Sequence, residues 1–205
     1  MGDTVKLLNK GTRERRFART RLAILDAALN IIGSDGLAKL SMRRLAREID
    51  YSPAALYEYF DGKEEIISAL CERVDAHLAD FLNQVAPNLS AEDTLVEIGM
   101  SYLEFARCNP SEYGMLFTGP FPDADAYGAA YIILLESAKA VVEKQLNDDH
   151  LSDSSAEELM HARTFAYSCW AMVHGMAVMS LRKKWDVGEM QTVHKAILQR
   201  FIYAH

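Results

Sequence analysis

The chain has 205 residues, half of them hydrophobic and a quarter charged, which suits one sizeable core or two small ones and excludes a disordered chain. No run approaches ~18 consecutive apolar residues, so no membrane span is expected. The formal charge of −7 is uneven: residues 1–49 hold 11 Lys and Arg against 5 Asp and Glu, whereas 50–205 hold 11 against 24, so at most one end suits a polyanion.

In chain order, residues 1–18 read as a basic arm. From Thr20, the residues Leu22, Leu25, Leu29 and Ile32 recur at helical spacing, and Asp35 with Gly36 supplies a stop. A second helix opens at Ser41, an N-cap, and turns Leu45 and Ile49 inward. After Asp50 and Tyr51, Ser52 caps a third helix with Pro53 at its first position, where a missing N–H costs nothing. That helix stops near Asp61 and Gly62. A long helix over 63–85 then aligns Ile66, Leu70, Val74, Leu78 and Phe81.

Ser90 and Asp93 form a capping start for the next helix, which runs to about Cys108. Asn109 and Pro110 open a short one through Tyr113 and Phe117. Residues 118–125 hold two prolines and a glycine and read as a loop. Helices over 126–146, 156–182 and 188–203 complete the chain, the middle one started by Ser155 with Glu158 three residues on. Alternating strand patterns are absent. The expected fold is all-α with about nine helices.

Three short helices with a four-residue turn between the last two describe a helix-turn-helix. SMRRLAREI at 41–49 is the scaffold helix and SPAALYEYF at 52–60 the recognition helix. Small Ala46 lets the helices approach, while Leu45, Ile49, Leu56 and Phe60 pack inward. Ala54 and Ala55 keep the outer face low, so the backbone can come close to base edges.

These features, in this order over about residues 18–70, resemble the TetR family of bacterial transcription regulators. The resemblance is carried by the helix at 20–32 closing at Gly36, LSMRRLA at 40–46 and LYEYFDGKEEI at 56–66. It implies a homodimer that places two recognition helices in successive major grooves of a pseudo-palindromic operator. It divides the chain into an arm at 1–18, a DNA-binding domain at 19–65, and a ligand-binding and dimerisation domain at 66–205.

On that resemblance Tyr57 bonds phosphate through its hydroxyl, with Tyr59 and Lys63 beside it; Ser41 and Arg44 also meet the backbone. Arg43 is the expected base-edge contact, bidentate to guanine. Tyr51, Ser52, Pro53, Ala54 and Ala55 face bases or thymine methyls. The recognition helix departs from the family pattern: 52–60 lacks Lys, Arg, Asn and Gln, and Glu58 repels phosphate. Specificity then rests on Arg43, on DNA shape or on the arm. The arm's Arg13, Arg15, Arg16, Arg19 and Arg21 either enter the minor groove or attract DNA with no fixed pose.

Further on, NPSEYGMLFTG at 109–119 and WAMVHG at 170–175 resemble the C-terminal domain of a TetR subgroup named for its Trp-His-Gly residues. The resemblance implies a small-molecule effector among the middle helices, with Tyr102, Phe105, Met115, Phe117, Phe121, Tyr131, Trp170 and His174 as candidate lining. Taken singly, each of these also reads as an ordinary core residue. It further implies a dimer bundle of the last two long helices, with Met172, Gly175, Met176, Met179, Ile197 and Phe201 at the seam.

The chemistry of catalysis has no foothold: HExxH, GxSxG, the Walker loop and GxGxxG are all missing, so an enzyme, a cofactor and a metal are not expected. Three isolated cysteines, Cys71, Cys108 and Cys169, suit a reducing cytoplasm. The start MGDTVK lacks the apolar centre of a leader peptide. The expected function is a repressor released from DNA by a small molecule; a helical interaction protein with a vestigial helix-turn-helix, or a cysteine-based redox regulator, are the alternatives.

Overall fold

A computed structural model describes residues 2–116, 128–148, 155–182 and 186–204. Among them are nine α-helices, a 3-10 turn over Leu37–Lys39 and no strand. The expected loop at 118–125, and with it Phe117 and Phe121, lies outside the described residues. The helices divide between two compact units.

The first unit comprises the residues through Arg73, with Gly114, Met115 and Leu116. Its opening helix, α1, spans Gly2–Asp35, so it starts well before the Thr20 that the apolar stripe predicts. The physical reason is propensity: Arg, Glu and Ala through 13–19 are good helix formers and nothing there breaks the ladder. Thr20 is an interior residue whose hydroxyl donates back to the Arg16 carbonyl at 3.1 Å. The buried face also differs from the predicted stripe. Ile24, Leu25, Ala28, Ile31 and Ile32 are buried, whereas Leu22 is 52% exposed and Leu29 lies at the margin.

On that face sit α2 (Met42–Glu48), α3 (Pro53–Leu56) and the start of α4 (Lys63–Leu82). They bury Leu40, Leu45, Ala46, Leu56, Phe60, Ile66 and Leu70 in one core. Arg21 of α1 seals its edge. It lies 3.9 Å over the Phe60 ring, donates to the Tyr59 carbonyl and reaches Glu65 at 3.4 Å. Such a cation–ring contact is worth ~0.5–2 kcal/mol, more where water is excluded.

The second unit holds Val74–Tyr113 and the described residues from 128 onward. Its axis is α5 (Ala91–Cys108), which packs on α7 (Ala129–Asp148), α8 (Ser155–Arg182) and α9 (Val187–Tyr203). Ser90 caps α5 as the sequence predicts, accepting from the Asp93 amide at 3.0 Å. Gly99 makes the close approach: a Cβ there would lie 2.9 Å from Leu198 of α9 and 3.3 Å from Val173 of α8. A Cβ at Gly175 would meet nothing within 4 Å, so inside one chain the close approach on α5, α8 and α9 is at Gly99 and not at Gly175.

Helix α7 is started from outside itself. The Asp75 carboxylate accepts from the Ala129 amide at 2.6 Å and the Ala130 amide at 3.4 Å, acting as an N-cap carried by α4. Short α6 (Pro110–Met115) follows Asn109, whose carbonyl accepts from the Tyr113 amide at 2.8 Å.

Candidate nucleic-acid interface

The helix-turn-helix is built from local chemistry. Ser41 is extended and its hydroxyl accepts from the Arg44 amide at 3.3 Å, which starts α2. The helix ends at Ile49, and Asp50 follows with φ +55°. That left-handed residue lets the Tyr51 amide turn back to the Ala46 carbonyl at 2.8 Å, the six-to-one bond of a Schellman ending. Ser52 then caps α3, accepting from the Ala55 amide at 3.1 Å, with Pro53 next.

The recognition segment is shorter as a regular helix than 52–60. Helix α3 proper is Pro53–Leu56, and a turn continues it, with Tyr59 and Phe60 amides both donating to the Leu56 carbonyl at 3.0 and 3.1 Å. At its end the Asp61 amide donates at 2.6 Å to the carboxylate of Glu65, in the first turn of α4.

Among the predicted contacts, Arg19, Ser41, Arg43, Tyr51, Ser52, Pro53, Ala54 and Tyr57 are exposed in this unit, Tyr57 to 54%. Ala55 lies at the margin. Three others already hold partners within the fold. Arg44 is paired with Asp35, whose carboxyl that guanidinium holds below the usual range. Lys63 donates to the Leu37 carbonyl at 3.2 Å. Tyr59 stacks on Phe17 at 4.8 Å and meets the edge of Tyr51 at 6.5 Å. The sequence reading missed Phe17 and the tertiary role of Arg21, and only their aromatic and basic character on a helix gave any signal.

In the second unit the structure gathers part of the predicted lining. Tyr102 and Phe105 are buried on α5, and Trp170 and His174 stand one turn apart on α8. Tyr131 of α7 meets the Trp170 ring edge at 6.1 Å. Tyr113, which the spacing did not single out as lining, brings its hydroxyl within 2.6 Å of His174 Nδ1, and its ring lies 5.9 Å from Tyr102. Burial pushes the Tyr113 phenol up to about 12 and lowers the His174 imidazole, which favours the neutral form of both. His77 and Glu112, 2.6 Å apart, are a second pair that no local pattern announced. Met115 is buried but belongs to the first unit.

Of the predicted seam, Met179 is 62% exposed and Ile197 41%, Met172 and Gly175 are at the margin, Met176 is buried, and Phe201 stacks on Phe165 at 5.9 Å. Tyr167 of α8 and Val193 of α9 are exposed as well. Among the described residues no helix is long and apolar enough to cross a membrane, and no three His, Cys, Asp or Glu side chains are grouped to hold a metal ion.

Two serine-capped helices joined through a left-handed residue, in an all-α chain, define a helix-turn-helix protein. The chain belongs to the TetR family of bacterial regulatory proteins. Residues 24–70 match the family described as "Bacterial regulatory proteins, tetR family", and residues 95–202 match "Tetracyclin repressor-like, C-terminal domain". The second description does not speak to the Trp-His-Gly subgroup.

Among curated relatives it is 33% identical over 110 residues to the "Nucleoid occlusion factor SlmA" of Actinobacillus pleuropneumoniae, covering 52% of each chain. The counterpart of the same name in Haemophilus influenzae is 29% identical over 113 residues, 53% of this chain and 48% of that one. The chain thus spans about half the length of the curated relatives it matches.

Solved structures show the same fold. A protein with unknown function from Rhodococcus sp. RHA1 is 22% identical with a TM-score of 0.67, over 88% of this chain and 93% of that one. A regulatory protein in the tetR family from Rhodococcus RHA1 is 14% identical with a TM-score of 0.63, over 89% and 96%.

Proposed function

We propose that the protein is a cytoplasmic repressor that binds a pseudo-palindromic operator as a homodimer and is released by a small molecule. The observation that carries the DNA side is the exposure of Arg43, Tyr51, Ser52, Pro53, Ala54 and Tyr57 on two serine-capped helices and the turn between them. In this reading Arg43 meets a base edge, Tyr57 and the amides at the Ser41 end meet phosphates, and Arg44, Tyr59 and Lys63 stiffen the frame that presents them.

The exposed apolar surface of α8 and α9, with Met179 and Ile197, supports the homodimer. A row of such side chains is costly in water and natural for a symmetric interface. The effector reading rests on Tyr102, Tyr113, His174, Tyr131 and Trp170, a polar-tipped aromatic group in the second unit. In this reading α4 is the helix through which ligand and DNA are coupled. Coupling of this kind between ligand and DNA is worth ~1–3 kcal/mol and is reciprocal.

The test is retardation of the DNA flanking the protein's own gene, run at low salt where phosphate contacts are strongest. A shifted band that competing random DNA removes only in large excess supports the regulator; no retardation at any salt overturns it. A second reading, action along the nucleoid rather than at promoters, is favoured by the name of the curated relatives. It predicts many genomic sites and unchanged transcription beside them.

A further inference from the structure

Helix α1 begins at Gly2, and its residues 11–21 carry five arginines against a single acid, Glu14. Arg21 is consumed by Phe60, Glu65 and the Tyr59 carbonyl. The other four, Arg13, Arg15, Arg16 and Arg19, are exposed, and among the described residues none of them is in an ion pair. Arg15 with Arg19 and Arg16 with Arg19 are neighbours on the helix surface, where like charges repel. A helix that keeps such a cluster unneutralised is suited to an external polyanion.

What separates this from a loose basic tail is Phe17. It lies among those arginines, and it is 42% exposed on a helix that has no hydrophobic need of it there. Yet its ring stacks on Tyr59, directly after the recognition helix, at 4.8 Å with planes 26° apart, and Tyr59 in turn meets Tyr51 of the turn. The stack, with the Arg21 anchor one turn on, fixes the azimuth of α1 relative to the recognition segment. A helix held at both points presents its arginines at a set position, which a tail does not.

We propose that residues 11–19 of α1 form a second, pre-oriented DNA surface, in which Arg13, Arg16 and Arg19 bind phosphates of the duplex beyond those reached by the helix-turn-helix, with Phe17 as the positioning residue. The proposal rests on the DNA-binding reading above and adds to it a longer footprint and a steeper salt dependence. Each phosphate contact contributes roughly 0.9 to the slope of log affinity against log salt.

The probe is a duplex enriched from random-sequence DNA by the full-length protein. Arg13→Ala/Arg16→Ala/Arg19→Ala together should flatten the salt slope by about 2.7 for each protomer bound, about 5.4 for the homodimer, and remove hydroxyl-radical protection at the outer phosphates, leaving the central protection in place. Phe17→Ala, with every arginine kept, should lose the same outer protection and weaken binding, while Phe17→Tyr restores both. These positions are exposed, and the thermal unfolding midpoint reports that each variant is folded. Failure of the wild-type protein to enrich any duplex overturns the DNA-binding reading and this proposal with it. Enrichment with a footprint and slope unchanged in the triple variant overturns the second surface alone. Outer protection that survives Phe17→Ala leaves a mobile basic tail and overturns the pre-oriented helix.

Discussion

The amide of Tyr51 donates to the carbonyl of Ala46 at 2.8 Å, and that bond exists because the residue before Tyr51, Asp50, sits at φ +55°. The angle between the two helices of the helix-turn-helix therefore depends on one left-handed residue. Asp50→Gly should leave unfolding and DNA binding unchanged or slightly improved, since glycine adopts this region freely. Asp50→Val should cost ~1–2 kcal/mol and weaken DNA binding in parallel. Thermal unfolding and a gel-shift titration on the same samples check both.

Arg43 and Tyr57 are both exposed, but they are expected to differ in what they read. Arg43→Ala should cost ~1–3 kcal/mol on a preferred duplex and much less on random DNA, relaxing preference at one position per half-site. Tyr57→Phe should weaken all duplexes by a similar factor. Titrations against a panel of single-base variants separate the two, and equal effects from both would refute the assignment.

Asp75 caps α7, and a Cβ on Gly128 would clash with its carboxylate. Asp75→Ala should destabilise the protein by ~1 kcal/mol through loss of the cap. Gly128→Ala displaces the same carboxylate and should cost about as much, within the ~1–3 kcal/mol of an overpacked site. The double variant should fall well short of the sum, because both changes remove one interaction. Denaturant unfolding of the four proteins measures it.

His194 is buried, and its Nε2 lies 3.3 Å from the Ser180 hydroxyl, whose own proton goes to the Met176 carbonyl at 2.8 Å. Burial lowers the imidazole below its ordinary 6.5, as it does for His174. The unfolded chain then binds more protons just below pH 6.5, so stability is complete above that value and falls as the pH drops through it. The unfolding midpoint should decline from about pH 7.5 to 5.5, and His194→Gln should remove part of that slope. A flat profile in the wild-type protein would contradict it.

Met179 and Ile197 lie exposed on α8 and α9. Met179→Glu or Ile197→Glu should leave the monomer fold intact and raise the dimer dissociation constant, since a charge placed in an apolar seam has no partner. Sedimentation velocity across a concentration series reads this directly. DNA affinity should fall along with dimerisation.

The sequence by itself determined what is local. Ser41, Ser52 and Ser90 are caps because an oxygen three residues ahead of an amide suffices, and the helix-turn-helix follows from spacing over about thirty residues. Helical period likewise placed α2, α5, α8 and α9 within a few residues of where they lie. The tertiary structure decided what depends on distant partners. The Tyr113–His174 bond spans 61 positions and the Asp75 cap on Ala129 spans 54, and no pattern in either segment announces the other. The same holds for α1. Its arginines were legible as charge, but a chain of helix formers gives no sign of where a helix docks, and only the Phe17–Tyr59 stack fixes them as a surface instead of a tail.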